Sequence, residues 1–132
     1  MGAASVAPFL SLGHGDLEFN SDFRYDLKVG QVAEKALAKM LQSQKIEVKR
    51  DFKASRTGRV FVEFFSRGKP SGIHTTEADY WAFMTSDESV VILPTKRLRE
   101  IVDEAIEKGE VKRGGDKNTS KGALIRIERL VT

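Results

Sequence analysis

Five side chains in the first half of the chain are of the kinds that handle a phosphate and a metal ion: Glu34, Glu47, Lys49, Asp51 and Glu63. The acids offer the hard oxygen donors that Mg²⁺ takes, and the lysine offers a compact positive charge. Spacing puts four of the five on two neighbouring strands. In 45–67, KIEVKRDFKASRTGRVFVEFFSR, Ile46 and Val48 alternate with Glu47, Lys49 and Asp51. Beyond Thr57-Gly58, Val60, Val62 and Phe64 alternate with Phe61, Glu63 and Phe65. Period-two alternation predicts two strands, each with its apolar and polar residues on opposite faces. If they pair as an antiparallel hairpin across 52–58, Glu63 falls opposite Glu47 or Lys49, and three carboxylates and one ammonium share a small area. Acids that close repel one another unless a cation sits between them. The plainer reading is a solvated sheet face. Phe61 and Phe65 argue against it, because they share the face of the acids.

These residues need elements to hold them. Asp26 is placed to cap a helix over 27–43, with Val29, Val32, Ala33, Ala36, Leu37 and Met40 as its apolar stripe. Glu34 borders that stripe, so it can be aimed at a sheet on which the helix packs. After the strands comes a loop, 67–76, with two cations, hydroxyls and glycines. Tyr80–Met84 and Val90–Leu93 read as two buried strands split by a turn at 86–88, with Trp81 and Phe83 in the core. Thr95 is expected to cap a helix over 96–108, which Gly109 stops. A polar loop over 111–122 and an alternating strand over 123–130 close the chain. Residues 1–20 are small and aperiodic, an expected arm, and 21–132 reads as a single α/β domain.

Composition bounds the function. The 132 residues include no cysteine, so disulfides and thiolate metal sites are excluded. No apolar run is long enough for a membrane span. The opening lacks a secretory n-region, and a cytoplasmic protein is expected. The net charge of +3 is mild, but its distribution is uneven. Cations gather at 45–59, at Arg67 and Lys69, and over 112–121. Arg67, Lys69, Ser71, Arg113, Lys117 and Lys121 are the candidate contacts for a phosphate backbone.

A helix bearing Glu34, then Ile46-Glu47-Val48-Lys49, Asp51, Thr57-Gly58, Glu63 and the run from Arg67 to Ile73 before Ala78-Asp79-Tyr80-Trp81 resembles the PD-(D/E)xK nuclease superfamily. The resemblance covers about residues 27–94 and is closest to the small phage and archaeal Holliday junction resolvases. It implies a restriction-endonuclease-like core, a central mixed β-sheet flanked by helices. It also implies a Mg²⁺-dependent endonuclease, able to use Mn²⁺, that cuts four-way DNA junctions as a homodimer in a bacterial or archaeal host or its virus. Two assignments of the signature stand. In one, Glu47-Val48-Lys49 is the E-x-K triplet. In the other, Asp51 and Glu63 are the acid pair, Phe65 occupies the lysine position and Lys49 takes over its role. Asp51 and Glu63 are then primary metal ligands, with Glu34 and Glu47 completing the shell. Alternative readings are a restriction- or repair-type nuclease on duplex DNA and a non-catalytic basic DNA-binding module.

Overall fold

The computed structural model describes residues 20–42 and 45–132. The chain divides into two compact units, residues 1–42 and Ser43–Thr132. The 1–20 arm lies outside the described residues apart from Asn20.

The first unit contributes helix α1, Asn20–Gln42. It extends beyond the 27–43 expected from the sequence, and Asp26 lies inside it instead of capping it. Alanines, lysines, Glu34 and the leucines give the stretch ample intrinsic helix propensity. The apolar stripe, however, is not buried: its Val29, Val32 and Leu37 are all about half exposed or more.

The second unit is mixed α/β. Its elements run β1 Ile46–Arg50, α2 Ala54–Thr57, β2 Arg59–Ser66, β3 Lys69–Pro70 and a 3₁₀ turn at Gly72–His74. Then come β4 Tyr80–Ser86, β5 Ser89–Pro94, α3 Thr95–Glu107 and β6 Val111–Gly114. A 3₁₀ turn at Asp116–Asn118, β7 Ser120–Arg126 and α4 Ile127–Leu130 end the chain. The strands form two sheets. One has three strands in the order β1-β4-β5, and the other four in the order β3-β2-β7-β6. The three-stranded sheet is mixed, because β1 runs parallel to β4 while β4 and β5 form an antiparallel hairpin.

Both sheets turn one face to a single core. Val60, Val62, Ala123 and Ile125 come from one sheet, and Trp81, Phe83 and Leu93 from the other. The helical spacing of Leu98, Ile101, Val102 and Ala105 lays one stripe of α3 against both. Trp81 and Phe83 are buried, as their continuous apolar run predicts. Thr95 is the first residue of α3 rather than its cap, and its hydroxyl donates to the Ala78 carbonyl at 2.7 Å. That bond pins the start of the helix to the segment that leads into β4. At the other end Glu104 of α3 accepts from Arg129 of α4 at 2.7 Å and from Lys108 at 3.2 Å. The Lys108 hydrogen bond and the Arg129 charge hold the Glu104 carboxyl below its ordinary range.

The expected hairpin between the first two strands does not form. β1 gives its ladder to β4, and β2 gives its ladder to β7, so the two strands belong to different sheets. The connection explains why. Lys53–Thr57 winds into a helical turn, and Gly58 closes it at φ 73°, a left-handed conformation that glycine adopts without strain. A loop of that shape carries the chain from one sheet to the other instead of folding it back. The 111–122 loop is also corrected, since β6 and the start of β7 pair there.

Phe61, whose position beside acids was unexpected for a wet face, lies across a lane of glycines. Its ring covers Gly122 of β7 and Gly114 of β6, and a Cβ added at Gly122 would run into the ring. Gly122→Ala should therefore cost about 1–3 kcal/mol, the usual range for overpacking. Phe61→Leu should recover part of that loss. Urea midpoints of the two single variants and the double variant measure the coupling, and strictly additive losses would show that ring and glycine do not touch.

Candidate nucleic-acid interface

The four-stranded sheet has one face on the core and one facing away. Opposed residues of an antiparallel pair share a face, so Phe61 and Leu124 lie together on the outer one. One register step on, Glu63, Gly122 and Lys112 line up across β2, β7 and β6. Beside them opens a cavity of about 390 Å³ whose wall includes Asp51, Lys53, Arg59, Phe61, Lys112 and Arg113, with Gly114 and Gly115 at its rim. Gly115 has φ 72°, so the backbone there turns in a way most residues resist.

Asp51 follows the last residue of β1. Its N–H donates to the Met84 carbonyl at 2.9 Å, and its Oδ2 accepts the Phe61 N–H at 3.0 Å. The carboxylate thus takes the backbone donor that a hairpin partner would have satisfied. Glu63 stands two residues further along β2 on the Phe61 face, and its Oε2 accepts the Ser71 hydroxyl at 2.8 Å. The loop bearing Ser71 is held from two sides. Gly72 presses its Cα against the Glu63 carbonyl, where a side chain would clash. Arg99 of α3 donates to the carbonyls of Ile73 and Thr76, each at 2.9 Å.

Asp51 and Glu63 therefore each hold one neutral hydrogen bond, and neither is in an ion pair among the described residues. The same holds for Lys53, Arg59, Lys112 and Arg113. Asp51 thus shares its cavity with four cations without an ion pair among the described residues.

The candidate backbone contacts also converge. Ser66 pairs with both Lys69 and Ser120, Arg113 lies opposite Lys121, and the Arg67 N–H donates to Thr119 at 3.0 Å. These bonds gather Arg67, Lys69, Arg113, Lys117 and Lys121 at one end of the sheet. Lys121 also holds its ammonium 5.5 Å from the Phe65 ring. Ser71 is the exception, because its hydroxyl is engaged with Glu63.

The remaining candidates are placed elsewhere. Glu47 lies opposite Trp81 and Lys49 opposite Phe83, so both belong to the core-ward face of the three-stranded sheet, at its β1 edge. Lys49 Nζ is 3.2 Å from Glu47 Oε2 and 5.3 Å from the Trp81 ring. Glu63 is on the outward face of the other sheet, so the expected cluster of Glu47, Lys49, Asp51 and Glu63 is not assembled as one face. The hairpin that would have gathered them is absent. Glu34 belongs to α1, in the other unit.

Among the described residues no three Asp, Glu, His or Cys side chains stand close enough to hold a metal ion together. The donor chemistry of Asp51 and Glu63 nonetheless suits Mg²⁺, which one or two carboxylates commonly hold with waters and substrate phosphates supplying the rest. Lys53, Arg59 and Lys112 line the cavity, and the sequence reading did not single them out. Their charges were visible in the basic runs, but only the register shows that they share a cavity. No family model, curated protein or solved structure matches the chain.

The Asp51 bond yields a separable outcome. Asp51→Asn keeps an acceptor for the Phe61 N–H and should leave stability within about 0.5 kcal/mol, the scatter of neutral substitutions. Asp51→Ala orphans that N–H in a part-buried place and should cost about 1–3 kcal/mol. Equal denaturation midpoints for the two variants would show that the bond does not hold the strand edge.

Proposed function

We propose that the chain binds DNA on the outer face of its four-stranded sheet and hydrolyses phosphodiester bonds there with Mg²⁺ or Mn²⁺. The observation that carries this reading is a cavity lined by Asp51, Lys53, Arg59, Lys112 and Arg113 with no ion pair between them, and with Glu63 two residues along β2 on the face of Phe61. A purely structural sheet face would be expected to pair such charges. Cations left free suit phosphates, and carboxylates left free suit a metal that a phosphate also binds.

Roles follow from residue type. Lys53, Arg59, Lys112 and Arg113 would bind and orient the phosphodiester. Asp51 and Glu63 would hold the metal ion, and Ser71 would fix the Glu63 carboxylate in place. When bound, the ion supplies charge neutralisation at the phosphoryl oxygens and a more acidic water. The basic end at Arg67, Lys69, Lys117 and Lys121 would extend the contact along the DNA. A homodimer acting on four-way junctions is the form proposed, since two opposed cuts require two symmetric sites. The separation of Glu47 and Lys49 from Glu63 favours a second reading, a basic DNA-binding module without catalysis.

Cleavage of a four-way junction, a flap and a linear duplex, each with Mg²⁺, Mn²⁺ or EDTA, separates the two. Metal-dependent nicking is expected, with Glu63→Gln losing about a hundredfold or more in single-turnover rate, the scale of one lost electrostatic stabiliser. DNA binding by that variant should hardly change. Lys49→Ala should remain within a few-fold of the parent, because its ammonium is held by Glu47 on the other sheet. Binding without cleavage of any substrate in either metal would establish the second reading.

A further inference from the structure

Arg59 of β2 and Arg126 of β7 are directly opposed in the sheet. Like charges in that position destabilise an antiparallel pair. Neither guanidinium has an acid within ion-pair distance among the described residues. Alternation along both strands puts them on the outer face with Phe61 and Leu124. Next to them is a second cavity of about 470 Å³, whose wall includes Arg59, Arg126, Arg129, Glu110 and Leu124. Arg129 is engaged with Glu104 at 2.7 Å, and Glu110 is the one acid in the wall. Arg59 and Arg126 together therefore outweigh Glu110 and leave the cavity positive. Arg59 and Leu124 line this cavity and the one containing Asp51, so the two openings adjoin.

Two opposed guanidiniums with no counter-charge are a repulsion that an anion between them would remove. Their planar, forked donors match the oxygens of a tetrahedral phosphate. We propose that Arg59 and Arg126 form a second phosphate-binding site, which takes a backbone phosphate of the same nucleic acid that occupies the first cavity. The inference rests on the reading of this face as a DNA interface. It adds a direction: the backbone runs along the strands from the level of Lys112 and Gly122, past Phe61 and Leu124, to Arg59 and Arg126.

The test uses the full chain with Arg126→Gln and Arg126→Lys. Affinity for a short duplex and for a single-stranded oligonucleotide is measured across a salt series. Melting temperatures are recorded alone, with inorganic phosphate and with each oligonucleotide. For Arg126→Gln the slope of log affinity against log salt should shrink by about 0.9 on duplex or about 0.7 on single strand, the loss of one phosphate contact. Its melting temperature without ligand should equal or exceed the parent's, since a repulsion has been removed. Arg126→Lys should keep the parental slope. An unchanged slope in Arg126→Gln while the parent binds DNA would overturn the second site and leave the first intact. A lower melting temperature for the unliganded variant would overturn the premise that the pair is repulsive. If inorganic phosphate raises the parent's melting temperature as much as the oligonucleotide does, the site takes free anions and the nucleic-acid assignment fails. A parent that binds no DNA at all would overturn the DNA reading itself.

Discussion

The second unit depends on how the free edge of β2 is satisfied. β2 spends one side of its backbone on β7, and along most of its length no strand among the described residues covers the other. An uncovered edge is a hazard, because its donors and acceptors remain available to any passing strand. The Asp51 carboxylate takes the Phe61 N–H, while the turn at 71–72 approaches the same strand near Phe64 and Glu63. Those contacts let β1 and β2 part into separate sheets and still meet at one point. Everything proposed for the outer face follows from that parting.

The same arrangement gives Asp51 two possible duties. As an acceptor for a strand edge it is structural, and as a free oxygen donor beside unpaired cations it is suited to a metal and a phosphate. A carboxylate has two oxygens, so the duties do not exclude one another: Oδ2 is committed and Oδ1 has no hydrogen bond among the described residues. Glu63 repeats the pattern, with Oε2 on Ser71 and the other oxygen without a hydrogen bond among the described residues. Each acid is oriented by one bond and keeps a lone-pair edge for a ligand, the economy expected of preorganised donors.

Phe61 and the glycines under it shape the interface in another way. A flat lane of Gly114 and Gly122 lets the ring lie on the sheet, where it shields the strands. An aromatic covering glycines is a known means of stabilising strands that otherwise have no side chain to pack. Here it also explains why a large apolar residue sits among charges.

Much was legible in the chain itself. Period-two alternation marks β1 and β2, short apolar runs bounded by turns mark β4 and β5, and 3.6-residue spacing marks α3, because a strand or helix repeats at intervals that its own residues display. Trp81 and Phe83 declared themselves core through their continuous apolar run. The basic runs, the absence of cysteine and the acids at Asp51 and Glu63 were equally plain. What the chain could not declare was partnership. Whether β2 bonds to β1 or to β7, some sixty residues on, is decided by a helical turn at 53–57 and by long-range hydrogen bonding, which no local period records. Partnership in turn decides faces. It separated Glu47 and Lys49 from Glu63, brought Lys112 into line with Glu63 across Gly122, and set Arg59 against Arg126. Local sequence determined which residues could do chemistry, and only the tertiary pairing decided which of them share a surface, because side-chain faces are assigned by register and register is a property of two strands.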